Sequence, residues 1–249
     1  MISIEELKEA KERRKTNLYY EEKEYLQYIF LNSISQYPEK FVFKGGTCLR
    51  ICFGLERASE DLDFSTNLSL KEVKKIVERC LKDFESLNIE HKIYSEKEFK
   101  GNIRFEIRFK GPIYNGNQNS TNTLKIDFNK QKSKNTEARV VQKIFSDVPL
   151  FTINVLAEKE ILAEKIRALI NRSEPRDLYD LWILFNKGVE VDKKLIEIKL
   201  KEEKSNLSRI RYPSKQEYEV SLKNLINFLP PYGQVLKEIS NKLSNLSKS

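Results

Sequence analysis

Hydrophobic and polar positions follow two different periods along the chain. In residues 102–110 (NIRFEIRFK) an apolar residue occupies every second position, which predicts a strand with one buried face and one charged, solvated face. Residues 92–99 alternate in a similar way. Residues 69–87 instead repeat apolar side chains at helical spacing and predict an amphipathic helix, as do residues 3–15 and 20–35. The first half therefore mixes strands and helices.

The second half of the chain is patterned for helices. Residues 155–184 predict two amphipathic helices around a break at 173–175 (SEP), and residues 186–249 predict further helices. We therefore expect an α/β (α+β) fold, in which a small mixed sheet with flanking helices in residues 1–150 is followed by a C-terminal helical bundle in residues 151–249.

Composition sets limits on the kind of protein. The chain has 249 residues and 39% hydrophobic content, enough for a real core. No apolar run approaches the roughly 20 residues that span a bilayer, and the first residues lack an apolar leader, so we expect a cytoplasmic location and no membrane partner. Three Cys and one His exclude the usual zinc sites.

The charge balance is basic. Lys and Arg number 45 against 37 Asp and Glu, a net charge of +8, which favours an acidic partner such as RNA, although a general bias toward Lys is an alternative. Residues 129–143 are interpreted as a basic loop that either meets a phosphate backbone or is simply solvated. Its basic residues are Lys130, Lys132, Lys134, Arg139 and Lys143.

Residues 41–64 (FVFKGGTCLRICFGLERASEDLDF) carry the candidate chemistry. Residues 41–43 predict a short strand, followed by a turn and a helix that opens at Thr47. A second strand carries Asp61 and Asp63, whose side chains share one face because they are two residues apart. Two close carboxylates favour a hard divalent cation, and Mg²⁺ is the natural one if a substrate phosphate completes its shell.

The Gly-Gly turn before this helix favours an anion. Gly45 and Gly46 lack side chains, so a phosphate can approach the backbone where the helix N-terminus is positive. Thr47 is positioned to cap the helix and to offer its hydroxyl. A phosphate site and a metal site are therefore separated by one helix and a loop.

This run resembles the nucleotidyltransferase (polymerase-β-like) superfamily and, more narrowly, the AbiEii/AbiGii toxin family. The resemblance rests on KGGTCLRICFGLERASEDLDFS and resumes in AEKIRALINRSEPRDLYDLW. It implies a nucleotidyltransferase-type sheet and an NTP-dependent enzyme that releases pyrophosphate, with one or two Mg²⁺ ions. It also implies a toxin of a type IV-like toxin–antitoxin or phage-defence system, with a cognate winged-helix antitoxin from a neighbouring gene.

The resemblance assigns roles to individual residues. Asp61, Asp63 and Asp127, the last in the predicted strand TLKIDF, are the expected metal ligands. Lys165 and Asp177 are expected to complete the active site, with Lys165 also contacting the triphosphate. The expected nucleotide-binding residues are Gly45, Gly46, Thr47, Arg57, Ser59 and Lys165. We expect the catalytic pocket to lie between the acidic strand face and the helices that bear Lys165 and Asp177.

The motifs leave the acceptor open. Family members have been linked to nucleotide addition at tRNA 3′ ends, and the basic balance favours RNA here. A protein or small-molecule hydroxyl, including that of an antibiotic, is the competing acceptor. A nucleotide- or RNA-binding regulatory module without catalysis is the alternative from another class.

Overall fold

A computed structural model describes residues 1–131, 133 and 135–248. The chain divides into two compact units. The first comprises Met1–Gly54 and Ala58–Leu156, and the second comprises Leu55–Arg57 and Ala157–Ser249.

The first unit contains all the strands among the described residues. Its helices are α1 (Ile4–Arg14), α2 (Leu18–Ile34), α3 (Gly45–Phe53) and α4 (Leu70–Ser86). Its strands are β1 (Phe41–Lys44), β2 (Asp61–Thr66), β3 (Glu90–Phe99), β4 (Asn102–Lys110), β5 (Asn122–Lys130), β6 (Thr136–Val141) and β7 (Phe151–Leu156).

Seven strands of the described chain form one mixed sheet in the order β3-β4-β5-β2-β1-β7-β6. The central strand β2 pairs in parallel with β5 and antiparallel with β1. β1 also pairs in parallel with β7, and the remaining pairs are antiparallel. This pairing confirms the mixed sheet that the sequence predicts.

The sheet has an apolar face and a polar face because side chains alternate along each strand. On the apolar face Phe64 of β2 stacks on Phe128 of β5 with ring centroids 5.2 Å apart, and Phe30 of α2 packs against Phe64. All three aromatic side chains are buried. Each contributes roughly 2–3 kcal/mol through burial, so this face anchors the strands.

The second unit consists of helices. They are α5 (Glu158–Arg172), α6 (Pro175–Asn186), α7 (Lys193–Glu202), α8 (Lys215–Leu222) and α9 (Tyr232–Lys248). Ser173 ends α5 in the left-handed region with φ 50°, and Pro175 opens α6, where its missing N–H costs nothing. The predicted helix break is therefore confirmed.

Several predicted boundaries are wrong. α3 begins at Gly45 rather than Thr47, and Lys44 holds the N-cap position, so Thr47 caps nothing. Val155, assigned to a helix from sequence, lies in β7, whose pattern is too short for periodicity to separate strand from helix. β7 begins at Phe151, directly after residue 150, and the predicted division of the chain there stays a prediction.

Parts of the segment 129–143, which the sequence analysis interpreted as a basic loop, form strand instead. Lys130 ends β5 and Arg139 lies in β6, where its guanidinium packs 4.6 Å from the ring centroid of Phe53. Lys132 and Lys134 lie outside the described residues. As for membranes, none of the helices that the structure describes has the length and apolar character needed to cross one.

Candidate active site

The acidic strand forms as its alternation predicts. Leu62 and Phe64 are fully buried on the apolar face of β2, whereas Asp61 and Asp63 are half-buried on the polar face. The packing of the two apolar residues therefore fixes the direction of the two carboxylates.

Gly45 is required at the start of α3 because the Asp63 carboxylate lies against it. Gly45 has φ +80°, and a Cβ atom at this position would overlap Oδ2 of Asp63. Only glycine combines that backbone conformation with so close an approach. The carboxylate therefore lies beside a helix N-terminus, where the helix dipole favours negative charge.

A third carboxylate joins the pair through strand register. Asp127 of β5 lies directly opposite Asp63 in the parallel pair, and Lys125 lies opposite Asp61. Asp127 is 6% exposed. The sheet therefore brings all three predicted metal-binding residues to adjacent strands on one face.

Arg104 is a site residue that the sequence analysis missed. It lies opposite Asp127 on β4, and its Nε and Nη2 atoms donate to the two carboxylate oxygens at 2.8 and 2.9 Å. The sequence correctly placed Arg104 on the polar face of its strand but interpreted that face as solvated. Only the pairing of β4 with β5 identifies its partner.

The electrostatics around Asp61 favour a cation. Burial is the main cause that raises the pKa of Asp61; Glu60 and Asp127 raise it further, while Lys125 opposes them. A bound cation would offset this cost of ionisation.

The donor set fits a hard divalent ion in part. Asp61 and Asp63 supply carboxylate oxygens, the ligands that Mg²⁺ prefers. Within the described residues, however, no group of three His, Cys, Asp or Glu side chains is preassembled to hold a metal, and Arg104 occupies both oxygens of Asp127. Arg104 therefore competes with a metal for Asp127.

Thr47 and Ser59 connect α3 to the acidic strand. Thr47 is fully buried; its hydroxyl donates to the backbone carbonyl of Asp61 and lies 2.8 Å from the hydroxyl of Ser59. The Gln27 side-chain amide donates to the backbone carbonyls of Ser59 and Glu60 at 3.0 Å. These contacts hold the start of β2 against α2 and α3, and thus position Asp61.

The other predicted site residues form a buried ion-pair network in the second unit. Lys165 lies 2.8 Å from Asp177 and 2.7 Å from Asp180. Arg57 donates to both oxygens of Asp180 at 2.6 and 2.7 Å, and Arg172 donates to both oxygens of Asp177 at 2.7 and 3.1 Å. Asp180 and Arg172 were not predicted as site residues, although Asp180 follows Asp177 by three residues and so lies on the same helix face.

The network keeps its members charged. Burial opposes ionisation of Asp180, but Arg57 and Lys165 outweigh it and lower its pKa to about 2. Burial also opposes the charge on Lys165, but Asp180 and Asp177 raise its pKa. An unpaired charge at this depth would cost several kcal/mol, so the pairs are needed for the helices to pack.

A mixed sheet that presents paired carboxylates beside a Gly-Gly helix start is the arrangement of a nucleotidyltransferase. The family model described as "Nucleotidyl transferase AbiEii toxin, Type IV TA system" matches residues 29–236, and the chain belongs to this family of nucleotidyltransferases.

Solved structures show the same fold. MenT4, a nucleotidyltransferase toxin from Mycobacterium tuberculosis H37Rv, is similar with a TM-score of 0.74 and 18% identity, over 100% of this chain and 91% of that one. JHP933 from Helicobacter pylori is similar with a TM-score of 0.62 and 21% identity, over 94% of each chain. A search of curated proteins finds no match.

Proposed function

We propose that the chain transfers a nucleoside monophosphate from a Mg²⁺-bound NTP to the 3′ end of an RNA, with tRNA as the expected acceptor. The observation that carries the proposal is the position of Asp63, which lies beside the N-terminus of α3 at Gly45 and opposite Asp127 on β5. The net charge of +8 supports an acidic acceptor.

In this proposal Asp61 and Asp63 hold Mg²⁺, and Asp127 becomes the third ligand as Arg104 releases it. When bound, the ion neutralises triphosphate charge and lowers the pKa of the attacking hydroxyl. Gly45 and Gly46 leave room for phosphate oxygens at the start of α3. The acceptor oxygen bonds to the α-phosphorus and its proton passes to solvent. The bond between the α-phosphorus and the oxygen that bridges it to the β-phosphorus breaks, and that oxygen leaves with pyrophosphate.

Other predicted residues act in the proposal chiefly by positioning. Thr47 and Ser59 are engaged with each other and with the backbone of β2, so they place Asp61 rather than contact a phosphate. Lys165 and Asp177 are retained as proposed catalytic residues. Their network also contains Asp180, Arg57 and Arg172.

The proposed biological role is that of a toxin in a type IV toxin–antitoxin or phage-defence system. Modification of tRNA 3′ ends would stop translation. Family membership supports a cognate antitoxin, proposed to be a winged-helix regulator encoded by a neighbouring gene.

The test is to incubate the purified protein with Mg²⁺, total bacterial RNA and each α-labelled NTP in turn. We expect label from one NTP in the tRNA band, lost in Asp61→Asn and in Asp63→Asn. Label on protein instead of RNA would contradict the RNA acceptor and favour a polypeptide hydroxyl.

Two controls make the result specific. Glu106→Gln changes a carboxylate on the same sheet face that lies opposite Lys125, and transfer should persist in it. Replacing Mg²⁺ by EDTA should abolish transfer; activity that survives chelation would contradict the metal-dependent mechanism.

A further inference from the structure

The guanidinium of Arg108 lies over the ring of Tyr94 on the polar face of the sheet. Tyr94 is 58% exposed at the edge strand β3, and the Arg108 guanidinium of β4 lies 3.7 Å from the centroid of its ring. The register of β3 shifts between Ile93 and Ser95, so an irregularity in the strand occurs at Tyr94. Such an irregularity changes the direction of a side chain, and here it directs Tyr94 toward Arg108.

This pair lies on the same face as the acidic cluster. Arg104 and Arg108 are four residues apart on β4, so both project from one face, and Arg104 contacts Asp127 directly. Four strand residues span about 13 Å. A short stretch of extended polymer could therefore reach from the Tyr94–Arg108 pair to the three carboxylates.

The two faces of β3 differ in charge. On the helix-covered face Glu96 and Glu98 pair with Lys74 of α4, at 2.7 and 2.5 Å. On the opposite face β3 contributes Lys92 and Lys97, which lie across from Arg108 and Arg104. None of the carboxylates in the described part of the chain forms an ion pair with Lys92, Lys97 or Arg108. Glu106 is the one anion that β4 places between its two arginines.

We propose that Tyr94 and Arg108 bind the single-stranded segment of the acceptor RNA behind its 3′ end, with a base on the Tyr94 ring and a backbone phosphate on Arg108. The proposal deepens the proposed function and rests on RNA being the acceptor. An exposed aromatic ring beside a guanidinium, among other cations, is the chemistry that single-stranded RNA requires. Every base has a π-face that can stack on such a ring, so the site selects single strands rather than a particular sequence.

The experiment measures binding of a fluorescein-labelled single-stranded oligoribonucleotide to the full chain by polarisation, without NTP, at several salt concentrations. We expect Tyr94→Ala to weaken binding about tenfold and Tyr94→Phe to bind like the wild type, because stacking needs the ring and not the hydroxyl. Arg108→Gln should reduce the slope of log K against log salt by about 0.7, the value for one phosphate contact on a single strand.

Lys40→Gln is the matched control, because Lys40 forms another exposed cation–π pair in the same unit, 5.6 Å from the ring of Tyr37. It removes one positive charge, as Arg108→Gln does, and should leave both affinity and salt slope unchanged. Unchanged melting temperatures for all variants exclude a folding defect.

The proposal is overturned if Tyr94→Ala binds RNA within twofold of the wild type, or if poly-glutamate displaces the RNA as readily as unlabelled RNA does. Label transfer to RNA that is unaffected in Tyr94→Ala would overturn this site and leave the proposed function standing. RNA binding that depends on Tyr94, without transfer of label to RNA, would support the site and contradict the proposed function.

Discussion

The carboxylate of Asp63 lies against the α-carbon of Gly45, so closely that any side chain at position 45 would overlap Oδ2. The same glycine has φ +80° and begins α3. One residue therefore sets both the start of the helix and the position of a proposed metal ligand.

Gly45→Ala should reduce nucleotidyl transfer by about two orders of magnitude, because displacing Asp63 by about 1 Å misplaces the reacting groups. It should also lower stability by about 1–3 kcal/mol through backbone strain. Steady-state transfer assays and urea unfolding measure the two effects.

Gly54→Ala is the control for strain alone. Gly54 ends α3 with φ +70°, and a Cβ atom there would meet nothing within 4 Å. It should lose similar stability but keep its activity. Equal losses of activity in both variants would show that the Asp63 contact has no special role.

Arg104→Gln should strengthen binding of Mg²⁺ in the absence of NTP by about threefold to tenfold. The variant lacks the charge-assisted pair in which Arg104 competes with the metal for Asp127. The expected gain is modest because the Arg104 side chain is 44% exposed and solvent weakens the pair. The shift of melting temperature during Mg²⁺ titration measures this. Arg108→Gln removes the same charge from the same strand without touching Asp127, and a similar gain in that variant would indicate a general field effect instead.

Asp180→Asn should destabilise the chain by about 3–5 kcal/mol, because it leaves Arg57 and Lys165 short of a buried partner. Urea unfolding measures the loss. Asp192→Asn provides a comparison, since Asp192 caps α7 by accepting from the Leu195 N–H and asparagine caps equally well. A loss below about 1 kcal/mol in Asp180→Asn would argue against a structural network.

The stability advantage of the wild type over Asp180→Asn should depend on pH. The pKa of Asp180 is lowered from 3.8 to about 2 in the folded state, so its ionised form is favoured by folding. The contribution, about 2 kcal/mol, is complete above pH 3.8 and disappears as the pH falls through about 2. Urea midpoints of both proteins at pH 5 and pH 2.5 measure it. An advantage that is constant over this range would contradict the lowered pKa.

Local pattern was sufficient for most elements. The helical repeat in 69–87 predicts α4, and the capping box of Ser69 and Glu72 confirms where it starts. The proline at 175 predicts the start of α6. Patterns failed in β7, whose short apolar run fits either kind of element, and in β6, whose charged residues were interpreted as part of a basic loop.

The sequence by itself determined that Asp61 and Asp63 share a face, because alternation along a strand is a local property. It also predicted a helix directly after β1, although not its start at Gly45, and, through the resemblance, the family. Only the tertiary structure decided that Asp127 lies opposite Asp63, that Arg104 binds Asp127, and that Arg108 stacks on Tyr94. Strand register joins residues far apart in the chain through packing of the whole sheet, and no local period contains that information.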